Sequence, residues 1–167
     1  MRTEKPNWKR SSLNGENQVI GSVAPLQINT EDINMIKLIP GKKGSGKTKV
    51  LIDAIHEAEK KSKGNVVAIQ IGSSLNIDIY HKIRLINIED FKIHDYDDLY
   101  GFIAGILASD YDCTDIFVDG VLRIVGRDLD KVGEMFDRIA AISENTHVVF
   151  TISADVDALP ESIKKYL

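Results

Sequence analysis

Residues 41–48 read Gly41-Lys42-Lys43-Gly44-Ser45-Gly46-Lys47-Thr48 and match the pattern G-x-x-x-x-G-K-[ST] at every specified position. The run Met35-Ile36-Lys37-Leu38-Ile39 before this match is mostly apolar and suits a short buried strand. Apolar residues recur at helical spacing over residues 47–62 after it. The sequence therefore predicts a strand, a glycine-rich loop and a helix in that order, which is the context that gives the pattern its meaning.

The glycines of the loop suit a turn that binds anions. Gly41, Gly44 and Gly46 can adopt positive φ angles, and without a Cβ atom their backbone N–H groups can come close to phosphate oxygens. The free amides and the positive dipole end of the following helix add further attraction for negative charge. We therefore expect residues 41–48 to bind the phosphate groups of a nucleoside triphosphate.

The polar side chains of the loop suggest how the phosphates are held. Lys47 is expected to place its charge between the β- and γ-phosphates, and the Thr48 hydroxyl is expected to be a ligand for Mg²⁺. Lys42, Lys43 and Ser45 occupy three of the four variable positions of the pattern. The two lysines there either add positive potential at the site or are solvated surface charges.

The composition is that of a soluble globular domain. The chain has 167 residues, of which 43% are hydrophobic and 28% charged, and its formal net charge is −4. The sequence shows no apolar run of membrane-spanning length, no N-terminal secretory signal and no dense Lys/Arg stripe typical of nucleic-acid binding. Its single cysteine, Cys113, excludes an internal disulfide and precedes an apolar strand. We expect Cys113 to be a core residue and the protein to be cytoplasmic.

The character of the sequence changes near residue 34. Residues 1–34 are rich in Pro, Asn, Ser and Gly and fit no helix of useful length, so we expect a flexible N-terminal extension. In residues 35–167 strands and helices alternate, which predicts one α/β nucleotide-binding domain with a mainly parallel sheet. The predicted strands are 35–39, 66–71, 83–88, 115–119 and 147–152, and the predicted helices are 47–62, a helix capped by Asp95 that extends through Leu107, 128–144 and 160–167.

Asp119 is the best candidate for a second Mg²⁺ ligand. A triphosphate bound with Mg²⁺ needs an acidic residue opposite the loop, usually at the end of a buried strand. Ile116-Phe117-Val118-Asp119 has that form. We expect Asp119 to hold the ion opposite Thr48, directly or through water.

The group that would activate water for hydrolysis is ambiguous. Many ATPases place a Glu directly after this Asp, but here that position is Gly120. Other phosphate-loop proteins supply the carboxylate from the end of a neighbouring strand. Glu89 or Asp90 is expected to lie there as the candidate base, or both are ordinary solvated charges. Thr151 and Ser153, at the end of the last strand, either contact the γ-phosphate or the attacking water or cap backbone groups.

Two arginines follow Asp119 closely. Arg123 or Arg127 could neutralise charge that develops during phosphoryl transfer, in the same subunit or in a neighbouring one. Alternatively, both form surface ion pairs with Asp128 or Asp130.

The strand, loop and helix over residues 35–62, together with Asp119, resemble the Walker A and Walker B motifs of the P-loop NTPases. The resemblance covers residues 35–167. A polar residue on the last core strand, Thr151, is similar to the pattern of the RecA-like and AAA-like branch. The resemblance implies a three-layer sandwich of a mainly parallel five-stranded sheet and flanking helices, with ATP and Mg²⁺ bound at residues 41–48 and Asp119.

The compact chain also resembles a group of small bacterial ATP-binding proteins, some of which carry a label borrowed from twitching-motility ATPases. The similar segments are the strand that leads into the loop, Leu99-Tyr100-Gly101-Phe102 and Ile116-Phe117-Val118-Asp119-Gly120. This resemblance implies ATP binding.

Three functions are compatible with the sequence. The first is an ATP-binding protein with slow hydrolysis that acts as a switch or small motor subunit, with a protein partner or self-association. The second is a nucleotide-gated binding module without appreciable hydrolysis, and the third is a small-molecule kinase. A guanine-specific Asn-Lys-x-Asp run is absent, which favours ATP over GTP. Arg84 is the only arginine in residues 72–96, where a kinase would need several in a lid, and this disfavours the third function.

Overall fold

The computed structural model describes residues 35–75 and 83–167. The predicted extension, residues 1–34, lies outside the described residues, so its expected flexibility stays a prediction. The strands are β1 (Ile36–Pro40), β2 (Asn65–Gln70), β3 (Ile83–Asn87), β4 (Cys113–Val118) and β5 (His147–Ile152). The helices are α1 (Lys47–Lys61), α2 (Tyr96–Ser109), α3 (Val121–Ile124), α4 (Leu129–Ala140) and α5 (Glu161–Lys164), with two short 3₁₀ turns at Ile88–Phe91 and Val156–Ala158.

The described strands form one parallel sheet in the order β1-β5-β4-β2-β3. The predicted α/β class with a five-stranded, mainly parallel sheet is therefore confirmed. The last strand in the sequence, β5, lies between β1 and β4. This insertion brings the ends of β1, β5 and β4 together at one edge of the sheet.

Both faces of the sheet are covered by helices, which gives three layers. Strands buried on both faces are near-continuous apolar runs, as β2, β4 and β5 are here. Because successive side chains of a strand point to opposite faces, Ile116 and Val118 lie in one hydrophobic cluster and Phe117 in the other. The first cluster includes residues of α2, α4 and α5, and the second includes residues of α1.

Helix ends follow the capping chemistry that the sequence indicated. The Asp95 carboxylate accepts a hydrogen bond from the Asp98 N–H at 2.8 Å and caps α2 as expected. Asp128 caps α4 in the same way through the Lys131 N–H. The helix α3 was not predicted, because it spans only four residues and begins directly after Gly120, which adopts a φ of 73°.

Two helices end earlier than predicted. α4 ends at Ala140 rather than near Glu144. After it, the Ile142 and Ser143 N–H groups donate to carbonyls three residues back instead of four, and the Ser143 hydroxyl donates to the Ile139 carbonyl at 2.8 Å. α5 ends at Lys164, before the expected end at residue 167. Beyond it, the Tyr166 carbonyl accepts a hydrogen bond from the Leu38 N–H of β1 at 2.9 Å. The C-terminus therefore leaves the helix to cover part of an exposed strand edge.

Cys113 is a buried core residue, as expected. It is the first residue of β4 and is 4% exposed. Burial, with a smaller contribution from Asp110, raises the pKa of its thiol to about 11. A thiol in this environment is a poor nucleophile at neutral pH.

Asp137 joins α4 to the C-terminal residues of the chain. Its carboxylate accepts a hydrogen bond from the Tyr166 hydroxyl at 2.5 Å and lies 2.7 Å from the Lys165 Nζ. These two contacts, with that of Lys165 the larger, lower the pKa of Asp137. The Tyr166 ring packs edge-on against Phe136, so the contact also extends the core.

We expect Asp137→Asn to destabilise the fold at pH 7 but to have little effect in acid. A carboxylate whose pKa is lower in the folded state stabilises the protein above its unfolded pKa of about 3.9, and this stabilisation is lost as the pH falls towards the folded value. Urea unfolding of both proteins at neutral and at acidic pH measures this change. Asp130→Asn on the same helix is the control. A destabilisation by Asp137→Asn that is equal at the two pH values would contradict the assignment.

Candidate phosphate-binding site

The glycine-rich loop begins where β1 ends and is tied to β5. The Gly41 N–H donates to the carbonyls of Ile152 and Ala154, each at 3.2 Å. Gly46 caps the N-terminus of α1 in the left-handed conformation. The loop therefore lies at the carboxyl ends of the parallel strands, which is where open α/β sheets bind ligands.

Two positions of the loop require glycine for backbone reasons. Gly44 and Gly46 have φ angles of 82° and 89°, which side-chain-bearing residues rarely adopt. A Cβ atom at either position would meet no heavy atom within 4 Å. Glycine is therefore required at these positions by the backbone conformation and not by a lack of space. The space beside them is open to a ligand.

Ser45, between these glycines, has a buried hydroxyl oxygen without a hydrogen-bond partner. Buried polar atoms in folded proteins nearly always have a partner, and an exception calls for an explanation. A bound phosphate oxygen could accept a hydrogen bond from this hydroxyl. Ser45 therefore fits the expectation that residues 41–48 hold an anion.

The Lys47 side chain lies across the loop. It is 8% exposed, and its Nζ donates to the Lys42 carbonyl at 2.8 Å. Burial lowers the pKa of Lys47, and the nearby charge of Asp119 opposes that effect. Because this buried amine has a single backbone acceptor, a phosphate group would give it a stronger, charge-assisted hydrogen bond.

Asp119 is the centre of a buried polar network. It is 4% exposed and directly follows β4. Its Oδ1 accepts a hydrogen bond from the Thr151 hydroxyl at 2.8 Å and lies 3.4 Å from the Thr48 hydroxyl. The Gly120 N–H in turn donates to the Thr151 oxygen at 2.6 Å. The pairing of Val118 with Phe150 places Asp119 beside Thr151, so the register of β4 and β5 builds this contact.

The Thr48–Asp119 pair fits the needs of Mg²⁺. The ion prefers oxygen ligands and usually takes only one or two from the protein, with phosphate and water supplying the others. Thr48 and Asp119 offer a hydroxyl and a carboxylate on the phosphate-loop side of the sheet. In the part of the chain that the structure describes, no group of three or more His, Cys, Asp or Glu side chains is arranged to hold a metal.

The other candidate residues occupy different surroundings. Glu89 is exposed in the 3₁₀ turn after β3, and its Oε2 would lie 3.9 Å from a Cβ at Gly72. The expectation that Glu89 ends a strand next to that of Asp119 is wrong, because β2 lies between β3 and β4 and places Glu89 two strands away from Asp119. Asp90 is exposed in the same turn, and Ser153 is exposed beyond β5. The structure therefore brings Thr151, but not Glu89, into contact with Asp119.

The two arginines after Asp119 are both exposed. The Arg123 side chain packs over Gly120, since its Cδ would lie 3.3 Å from a Cβ there. Neither arginine forms an ion pair with Asp128 or with any other acidic residue among the described ones.

One contact of the loop was missed by the sequence analysis. The Lys42 ammonium lies 2.8 Å from the carboxylate of Asp155, which follows β5. This contact raises the pKa of Lys42. The pair is largely exposed, so we expect it to contribute little to stability. The signal that could have found it is the position of Asp155 just beyond a strand that ends beside the loop.

The solved structures to which the chain is similar in fold include the following two. The first is the pCW3 conjugation coupling protein TcpA in its monomer form with ATPγS, with a TM-score of 0.48 and 15% identity over 78% of this chain and 46% of that one. The second is C. elegans PCH-2, with a TM-score of 0.49 and 18% identity over 83% of this chain and 36% of that one. The chain thus spans less than half the length of either structure. No protein-family model and no curated protein matches it.

We expect Thr151→Val to disturb both the stability of the protein and the position of Asp119. Valine has nearly the shape of threonine but leaves the buried Gly120 N–H without a partner and Asp119 Oδ1 with only the 3.4 Å contact of Thr48, a loss of about 1–3 kcal/mol in the free energy of unfolding. Urea unfolding measures this cost. Thr151→Ser keeps the hydroxyl and is the matched control. Equal destabilisation by the two variants would mean that Thr151 stabilises the fold through its methyl group and not through its hydrogen bonds.

Proposed function

We propose that this chain is a Mg²⁺-dependent ATP-binding protein of the P-loop NTPase superfamily, a cytoplasmic switch or small motor subunit with slow hydrolysis. The observation that carries the proposal is the convergence of the buried Lys47 amine and the Thr48–Asp119 pair on a glycine-rich loop at the start of α1. Lys47 and Thr48 begin α1, whereas Asp119 follows β4, and groups brought together in this way can hold a triphosphate.

Each residue has a defined task in the proposed complex. The backbone N–H groups of the loop and the N-terminus of α1 bind the phosphate oxygens. Lys47 exchanges its bond with the Lys42 carbonyl for one with phosphate. Thr48 and Asp119 hold Mg²⁺, which neutralises phosphate charge when bound. Thr151 is a positioning residue, because its only hydroxyl hydrogen is directed at Asp119.

The position of the candidate base supports slow hydrolysis. Gly120 follows Asp119, so no carboxylate stands next to the Mg²⁺ ligand in the sequence. At the usual spacing of about 4.8 Å between strands, β3 lies about 10 Å from β4. Glu89 would therefore reach a water at the γ-phosphate only if the end of β3 moved towards the loop.

The second candidate function is a nucleotide-gated binding module that does not hydrolyse ATP. The glycine at position 120 and the distance of Glu89 from Asp119 favour it. The nucleotide site is the same in both proposals, and only turnover distinguishes them.

None of the helices in the described residues has the length and the apolar composition of a membrane span.

We expect Mg²⁺·ATP to bind the wild-type protein and Lys47→Ala to bind it at least about tenfold more weakly, because a charge-assisted hydrogen bond to phosphate is lost. Calorimetry with ATP, ADP and GTP, with and without Mg²⁺, measures the affinities. Lys43→Ala is the matched control, since Lys43 is an exposed variable residue of the same loop. Absence of binding to the wild-type protein, or equal affinity in the two variants, would refute the proposal.

We expect Glu89→Gln to reduce phosphate release from ATP without changing ATP affinity, because the amide cannot accept a proton from water. Asp90→Asn in the same turn is the control. Phosphate release by single-turnover assay and affinity by calorimetry are compared on the same samples. Release that is measurable and equal in all three proteins would exclude Glu89 as the base, and release that is absent from the wild-type protein would leave the nucleotide-gated module.

A further inference from the structure

The strand beside β4 ends in a buried polar residue that the proposed nucleotide site does not use. Gln70 is the last residue of β2, which is a neighbour of β4 in the sheet, and it is 7% exposed. The register pairs Ile69 with Val118, and the Asp119 N–H donates to the Ile69 carbonyl at 2.9 Å. The next pair of residues along the two strands is therefore Gln70 and Asp119.

Gln70 and Asp119 face the same side of the sheet. The residues that precede them lie in the hydrophobic cluster that includes α2 and α4, and successive side chains of a strand alternate between the two faces. Gln70 and Asp119 therefore face α1, and the contact of Asp119 with Thr48 at the start of α1 agrees with this direction. With Thr151 of β5 they form a polar row, in which Asp119 has Thr151 on one side and Gln70 on the other.

One end of the Gln70 amide is fixed, and the other is available. Its Oε1 accepts a hydrogen bond from the Leu75 N–H at 2.7 Å, which sets the orientation of the amide because only the oxygen can accept this bond. Among the described residues no group accepts a hydrogen bond from the two amide N–H donors. Ser74, in the same turn, has a buried hydroxyl oxygen without a partner. This turn therefore contains hydrogen-bonding groups that the fold itself does not use.

Gln70 lies closer to the candidate Mg²⁺ ligand than the candidate base does. Neighbouring strands are about 4.8 Å apart. Gln70 is one strand away from Asp119, whereas Glu89 is two strands away. An amide cannot take a proton from water, but its N–H groups can hold a water molecule, and orientation of a reactant lowers the barrier to its reaction. A residue that orients water without accepting its proton is compatible with slow hydrolysis.

We propose that Gln70 positions the water that attacks the γ-phosphate, through hydrogen bonds from its amide N–H groups to the water oxygen. This inference rests on the proposed nucleotide function. In the reaction the water oxygen forms a bond to the γ-phosphorus, and the bond between this phosphorus and the β,γ-bridging oxygen breaks. ADP leaves with the electron pair of that bond, and the proton of the water passes to a phosphate oxygen or to the candidate base.

Gln70→Met tests the proposal, because methionine has a similar length but no N–H donor. We expect the rate of single-turnover phosphate release to fall about tenfold or more while the ATP affinity stays unchanged. Calorimetry measures the affinity, and release is followed with the protein saturated with ATP. A role that is only structural would not lower the rate of release from the saturated protein. Release at the wild-type rate from ATP-saturated Gln70→Met would overturn the proposal.

Gln70→Glu makes the opposite change. It keeps an oxygen for the Leu75 N–H and places a carboxylate, which can accept a proton, beside the same water. We expect release to become about tenfold or more faster. The matched control is Asn145→Asp, the same amide-to-carboxylate change at an exposed residue before β5, which should release phosphate at the wild-type rate. All proteins are compared at saturating Mg²⁺, because the new carboxylate lies next to Asp119.

These measurements separate failure of the inference from failure of the proposed function. If the wild-type protein does not bind ATP, the nucleotide function is refuted, and this inference with it. If wild-type release is undetectable, or if Gln70→Met does not bind ATP, Gln70→Glu decides. Release faster than that of Asn145→Asp would then support the proposal, and equal release or loss of ATP binding would overturn it.

Discussion

The insertion of β5 between β1 and β4 is the constraint on which the candidate nucleotide site depends. Parallel strands end at a common edge of the sheet, and this order places the loop after β1, Thr151 at the end of β5 and Asp119 after β4 side by side. The hydrogen bond from Thr151 to Asp119 then fixes the carboxylate opposite Thr48. If β4 were next to β1 instead, the same residues would still follow their strands, but Thr151 would no longer lie between the loop and Asp119.

Burial strengthens the electrostatic interactions of these polar groups. Lys47 and Asp119 are both less than a tenth exposed, and in a weakly polarisable interior an interaction between charged groups is stronger than in water. Lys47 donates to a loop carbonyl and Asp119 accepts from Thr151, so neither is left without a partner. Lys47 and Asp119 can exchange these neutral partners for groups of a ligand. If the two side chains formed an ion pair with each other, a ligand would have to break a stronger interaction.

The parts of the site that are local in sequence could be predicted, and those that depend on strand order could not. The loop, its lysine and threonine, and an aspartate that ends an apolar strand are visible because each is a short pattern. Glu89 was correctly expected just beyond the end of a strand, yet the sequence does not reveal that β2 lies between that strand and β4. The Lys42–Asp155 pair and the Asp115–His147 pair are contacts between neighbouring strands or loops, so they follow from the strand order and not from a local sequence pattern. Short helices are difficult to predict for a related reason. α3 has only four residues, which is too few to show a helical periodicity.

Helix α1 extends from one end of the sheet to the other. Its fifteen residues extend over about 22 Å, from Lys47 at the phosphate loop to Lys61 at the opposite end. The first turn contains no acidic residue, so the positive end of the helix dipole is available to an anion. At the other end, Lys60 and Lys61 reduce the negative potential, but Glu57 neutralises one of them. The polarity of this helix thus favours an anion at its start, where the buried Lys47 has the matching charge, whereas at its end the lysines offset the helix dipole.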